Sequence, residues 1–170
     1  MIVIVMGVSG TGKTTVGQRL AQAMQLPFYD ADGFHSAANV AKMRGGTPLT
    51  DADRADWLAA LSTGLRAWEA AGGAVLACSA LKEKYRTVLQ AAVAAPIRWV
   101  VLHGAKELIA GRLQSRPGHY MGAVLLDSQL AAFEMPAYGL HLSVGVPLEA
   151  LVANALAYLK SSSIDHASVH

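Results

Sequence analysis

Apolar and polar positions fall in blocks along this chain, and the period changes from block to block. Ile2-Val3-Ile4-Val5-Met6 is continuously apolar and β-branched, the mark of a strand buried on both faces of a parallel sheet. Directly after it Val16, Leu20, Ala23 and Met24 recur at helical spacing, which predicts a helix over 13–24. Pro27-Phe28-Tyr29-Asp30 predicts a short second strand, and 35–44 a helix stopped by Gly45-Gly46-Thr47-Pro48. Thr50 or Asp51 is placed to cap a helix over 52–71, whose Trp57, Leu58, Leu61, Leu65 and Trp68 form one apolar face and which Gly72-Gly73 ends. Ala74 to Cys78 predicts a third strand, 82–94 a helix, and Ile97 to Leu102 a fourth strand. Helices over 105–115 and 122–133, a strand over 140–144 and a closing helix over 152–159 complete the pattern. Strands alternating with helices predict an α/β fold, a five-stranded parallel sheet flanked by helices in three layers. No internal repeat and no linker divides the chain.

The junction of the first strand and first helix carries the most specific signal. Gly7-Val8-Ser9-Gly10-Thr11-Gly12-Lys13-Thr14 fits G-x-x-x-x-G-K-[ST] without mismatch. The strand–loop–helix setting makes it a phosphate cradle, or P-loop. Gly7, Gly10 and Gly12 free the backbone for close approach to an anion, so the loop amides, with Ser9 and Thr11 among them, converge at the positive end of a helix. Lys13 supplies a point charge to the β- and γ-phosphates and Thr14 a hydroxyl to Mg²⁺. The ligand class is therefore a nucleotide polyphosphate with Mg²⁺.

Composition narrows the setting. At 170 residues the chain is one domain, or a domain with a small lid. A net charge of +2 with 15% charged residues gives no electrostatic footprint for nucleic acid. No apolar run reaches membrane-span length, and the N-terminus enters the first strand with no signal peptide, so a cytoplasmic enzyme is expected. The single cysteine, Cys78, lies in an apolar run and excludes a disulfide framework. The phosphate-loop domain is expected over 1–160, with 161–170 a disordered tail.

In a parallel sheet, ligands sit beyond the carboxyl ends of the strands, so polar residues there share one rim. Asp30 and Asp32 follow the second strand. Asp30 can hold a Mg²⁺-bound water, and Asp32 can orient an attacking hydroxyl and take its proton; the pair also suits an Asx turn capping the next helix. His35 lies one turn on, as a neutral donor–acceptor for a polyol or as a structural donor. Arg54 can grip a carboxylate with two parallel bonds. Lys82 and Arg86 share a helix face, either as a site for an anionic acceptor or as solvated charges. Arg112 and Arg116 run into Pro117-Gly118-His119-Tyr120, which reads as an arginine-bearing lid or as a basic helix end.

Together these residues resemble the gluconate kinases (gluconokinases), small P-loop kinases related to shikimate and adenylate kinases. The resemblance spans 2–159. It rests on Met6 to Thr14, Asp30-Ala31-Asp32 with His35, Asn39, Lys42-Met43, Gly46 to Arg54 with Trp57-Leu58, and Cys78 to Lys82 with Tyr85-Arg86. Arg112-Leu113 with Arg116, Gly118 to Met121, and Ser128-Gln129 with Glu134 and Pro136 extend it. It implies transfer of the ATP γ-phosphoryl group to the C6 hydroxyl of D-gluconate. ATP and Mg²⁺ would be held by the loop from Gly7 through Thr15 and by Arg112 and Arg116. Lys13, Asp32 and Arg116 would serve catalysis, and Asp32, His35, Arg54, Lys82, Arg86 and His119 the sugar acid. Thr14 and Asp30 would serve the metal, and 112–136 the lid. A homodimer is carried over from the resemblance. Two rivals remain: a kinase for another small sugar acid or a shikimate-like anion, and a nucleotide-binding regulatory module without turnover.

Overall fold

The computed structural model describes residues 1–115 and 123–164. Five strands, β1 (Ile2–Met6), β2 (Phe28–Asp30), β3 (Ala74–Ala77), β4 (Arg98–His103) and β5 (Leu140–Ser143), form one sheet in the order β2-β3-β1-β4-β5. Every neighbouring pair is parallel, with Val5 opposite Ala77 on one side and Val100 on the other. Helices α1 (Lys13–Met24), α2 (Ala37–Arg44), α3 (Ala55–Ala70), α4 (Glu83–Gln90), α5 (Lys106–Gln114), α6 (Ala123–Ala132) and α7 (Leu148–Ile164) connect and flank them.

The two-residue period of β1 divides the core. Ile2, Ile4 and Met6 face Trp57, Leu61, Leu65, Tyr85 and Leu89 of α3 and α4. Val3 and Val5 face Leu20, Ile109, Leu151 and Leu159 on the α1, α5 and α7 side. All five β1 residues are buried, which explains the unbroken apolar run. Each such side chain contributes about 1.5–3 kcal/mol by leaving water.

The structure moves several predicted boundaries. The helix expected over 35–44 is α2, which begins at Ala37 because the Ser36 side chain accepts from the Asn39 amide and caps it; a separate 3-10 turn, Ala31–Phe34, precedes it. The helix expected from 52 begins at Ala55. Thr50 and Asp53 instead cap each other: the Thr50 amide donates to Asp53 Oδ2 (2.9 Å) and the Asp53 amide to Thr50 Oγ1 (3.1 Å). The helix expected to reach 94 stops at Gln90, whose side chain serves the Ala95 carbonyl and the Ile97 amide. The closing helix, expected over 152–159, runs from Leu148 to Ile164; 165–170 lie outside the described residues. Among the described residues no helix is long and apolar enough to cross a membrane.

Candidate active site

The rim predicted from the strand ends forms around the β1–α1 loop. Gly7, at φ +150°, passes so close to β4 that a Cβ there would lie 2.5 Å from the Leu102 carbonyl oxygen. Gly12, at φ +91°, sits at the N-terminus of α1 with nothing within 4 Å of the place a Cβ would take. One glycine is needed for contact with the fold, the other for an open concavity that suits an anion. The buried Thr11 hydroxyl donates to the Val8 carbonyl (2.7 Å), and Lys13 Nζ reaches the same oxygen (3.2 Å). The Ser9 amide donates to Gln129 Oε1 of α6 at 2.8 Å, so a side-chain oxygen already occupies one loop donor.

The Asp30 carboxylate makes two contacts, one of them the cap expected of it. Its Oδ2 accepts from the Thr14 hydroxyl (2.8 Å), and its Oδ1 accepts from the Asp32 amide (3.0 Å) as the cap of the 3-10 turn. That turn leaves the Asp32 side chain exposed on the rim. Cys78 lies beneath: burial pushes its thiol up to about 12, and the charges of Asp32, Lys13 and Asp30 all reach it. The ends of β1, β2 and β3 thus bring loop lysine, metal-side carboxylate and exposed acid around one point. Among the described residues no group of three or more His, Cys, Asp or Glu is arranged to hold a metal ion. The Thr14–Asp30 pair does fit Mg²⁺, which keeps most of its shell as water and phosphate oxygens and takes few protein groups.

From Asp32 a continuous line of polar groups crosses to α4. The His35 ring stacks on Trp57 (4.7 Å, 7° between planes), and Trp57 Nε1 donates to the Ala31 carbonyl (2.8 Å). Burial lowers the His35 pKa; Asp32 opposes this and Arg54 adds to it, so the imidazole is neutral at pH 7. Buried Asn39 donates to the Asp53 carbonyl (2.7 Å) and lies 3.5 Å from His35 Nδ1. Arg54 donates to the Leu49 carbonyl and lies over the Tyr85 ring at 5.6 Å. Lys82 and Lys84 approach the same ring at 5.9 and 5.8 Å. Both lysines and the Tyr85 hydroxyl converge on the carboxylate of Asp51, with Lys82 Nζ at 3.1 Å from Oδ1. These bonds, Lys84 first, then Tyr85 and Lys82, hold the Asp51 carboxyl well below the usual carboxylate range.

Two expected site residues stand elsewhere. Arg86 does not face the rim. It is 1% exposed, and its guanidinium donates to the Ala80 (2.8 Å), Leu81 (3.2 Å) and Glu134 (2.8 Å) carbonyls, to Glu83 and to the Tyr138 hydroxyl. The four-residue spacing from Lys82 places both on α4's first turn, but Arg86 points into the protein, where it holds the turn from β3 to α4. That turn includes buried Ala80 in the left-handed region, φ +42°, which costs energy for a residue with a Cβ. Arg112 donates to the Val144 carbonyl (2.6 Å), just beyond the end of β5, on the helix whose Ile109 and Leu113 pack against Gly10. Arg116 and His119 lie outside the described residues.

Sequence reasoning missed Gln129, Asp51, Lys84 and Tyr85 as site residues. Tyr85 and Gln129 are among the residues that carry the resemblance; for Asp51 and Lys84 the signal is the density of charge in 51–56 and 82–86, two segments that the fold sets face to face.

Comparison with known proteins places this geometry. The shikimate kinase family model matches residues 9–128. The gluconokinase of Gluconobacter oxydans is 52% identical over 134 residues, covering 78% of this chain and 75% of that protein. A probable gluconokinase of Rattus norvegicus is 42% identical and covers 94% of this chain and 97% of its own length. The crystal structure of a gluconokinase from Sinorhizobium meliloti superposes with a TM-score of 0.89 at 38% identity, over 98% of this chain and 97% of that one.

Proposed function

We infer the reaction from one premise: the chain belongs to the shikimate kinase family and, within it, to the gluconokinases. It is an ATP-dependent kinase that phosphorylates an alcohol. The proposal is that the alcohol is the C6 hydroxyl of D-gluconate and the product 6-phospho-D-gluconate. The observation that carries it is the unbroken line from Asp32, through His35 and Arg54, to the cations around Tyr85. One end of that line offers a proton acceptor next to the phosphate loop, and the other offers cations suited to a carboxylate. A linear polyol acid spans such a site with its two ends recognised differently.

The residues then have distinct tasks. Gly7, Ser9, Gly10, Thr11, Gly12, Lys13, Thr14 and Thr15 seat the triphosphate. Their amide directions are set by the loop before ligand arrives, so little reorganisation opposes transfer. Lys13 meets charge on the β- and γ-phosphates. Thr14 and Asp30 would hold Mg²⁺, which supplies charge neutralisation on the transferring group. Asp32 orients the hydroxyl and accepts its proton late in transfer. Neutral His35 accepts from and donates to the polyol. Arg54 and Lys82 dock the carboxylate with charge-assisted bonds. Arg86 serves indirectly, by holding the turn that presents Lys82. The resemblance also carries a homodimer and a cytoplasmic setting, the first testable by sedimentation.

A coupled ADP-release assay tests the reaction. D-gluconate, shikimate, other aldonates and the neutral hexitol D-glucitol are compared with and without Mg²⁺, and ³¹P–¹H correlation locates the phosphate. Mg²⁺-dependent release with D-gluconate and phosphorus coupled to the C6 protons is expected. Preference for shikimate, phosphorylation at another carbon, or tight ATP binding without acceptor-dependent turnover would overturn it.

A further inference from the structure

The carboxylate of Asp51 is in an unusual place. It sits on Lys82, Lys84 and Tyr85, a set drawn from α4, 31 to 34 residues further along the chain. It reaches them from the turn between α2 and α3, where the other hydrogen bonds and ion pairs stay within 39–54 and only Arg54, over the Tyr85 ring, also reaches α4. Thr50 and Asp53 cap each other, and Lys42 Nζ holds Asp53 at 2.7 Å. Asn39 holds the Asp53 carbonyl and Arg54 the Leu49 carbonyl. The turn is thus fixed at its base without Asp51. Asp51 itself is 44% exposed, and both lysines are open to solvent, at 30% and 57%. The Tyr85 contact is part-buried, but both lysine contacts are open to solvent, and exposed pairs of this kind are weak.

We propose that Asp51 is an internal occupant of the acceptor-carboxylate site, released when the carboxylate of a sugar acid takes its place on Lys82, Lys84 and Tyr85. This rests on the reading of the site as a sugar-acid kinase, and it adds Lys84 and Tyr85 to the groups that select the acceptor. The chemistry of the two carboxylates is the same: one anion accepting from two ammonium groups and a phenol. A neutral polyol offers nothing to displace Asp51, so the internal anion sharpens selection for acids over uncharged sugars. It also keeps two exposed lysines from collecting unrelated anions between turnovers. Arg54 is three residues away, its amide bonds the Asp51 carbonyl at 3.2 Å, and its guanidinium lies over the Tyr85 ring beside the same site.

Occupation by an internal ligand reduces apparent affinity by the fraction of time that the site is filled. Asp51→Asn therefore binds D-gluconate about threefold to tenfold more tightly, since the exposed contacts to be displaced are weak. The measurement is calorimetric titration of the full chain with D-gluconate, with D-glucitol as the neutral comparator. Asp51→Ser is titrated in parallel, and circular dichroism checks that both variants are folded. Tighter D-gluconate binding in the variants, with D-glucitol unchanged, supports the proposal. Unchanged or weaker D-gluconate binding overturns it and makes Asp51 a positioning group for Lys82. Lys82→Ala separates the two levels. If it weakens D-gluconate while Asp51→Asn does not strengthen it, the internal occupant is wrong and the site assignment stands. If Lys82→Ala leaves D-gluconate binding unchanged, the site assignment fails and takes the occupant with it.

Discussion

Around Gly12 the chain presents main-chain amides whose directions follow from glycine dihedrals and from the start of α1. Around Tyr85 it presents charges on long side chains that pair with one another across two segments. The backbone of the first half is set by the β1–α1 junction, although its Ser9 amide and Lys13 Nζ are engaged with Gln129 and Val8. The second half is held by exposed contacts, each worth little, and can rearrange around its ligand. On the proposed function, preorganisation would be concentrated where charge develops during transfer, and adaptability where the acceptor must be told from similar molecules.

Perturbing each half in turn tests this contrast. The largest effect belongs at the meeting point: Asp32→Asn is expected to lower kcat by about 10²–10⁴ with ATP affinity nearly intact, as single-turnover kinetics and nucleotide titration would show. A loss below threefold would remove Asp32 from the chemistry. Next comes Arg86→Ala, which leaves three carbonyls and Glu83 without their cation and costs about 3–5 kcal/mol of stability by urea unfolding. If stability held and only the gluconate KM rose, Arg86 would belong to the adaptable half after all. Lys82→Ala should raise the gluconate KM about tenfold, the value of one charge-assisted bond, and leave the KM for ATP alone. A matched rise for ATP would mean that the halves are not independent.

The smallest effect is a pH dependence. The folded-state pKa of His35 is depressed below its ordinary 6.5, so the unfolded chain binds the proton more readily. The stability linked to His35 is fully present above about pH 6.5 and falls as pH drops toward the lowered folded value. His35→Gln should flatten that acid limb in melting temperatures taken between pH 5 and 7. An unaltered limb would assign it to another group.

The contrast between the halves also explains what could be read from the chain. A phosphate loop is local: eight consecutive residues carry it, and the strand and helix around it have their own periods. The alternation of those periods was enough for the sheet and its layers, since each buried strand is a short apolar run. The acceptor half is assembled from 30–35, 50–54 and 82–85, and spacing within a segment says nothing of which face meets which. Arg86 shows the cost of that gap. Its four-residue offset from Lys82 is real, yet side-chain direction along α4 sends one to solvent and the other beneath the turn. The charge of Arg86 gave no warning, because burial of an arginine depends on acceptors from residues 80–83, 134 and 138, which only the fold gathers.

The lone thiol beneath Asp30, Asp32 and Lys13 turns this architecture into its own instrument. With its thiol buried and its pKa pushed up, Cys78 should be slow toward alkylating reagents in the folded protein. Each modification event therefore reports a moment when the floor under the reacting groups has come apart. Labelling rates followed with and without nucleotide would time that breathing without a single engineered probe.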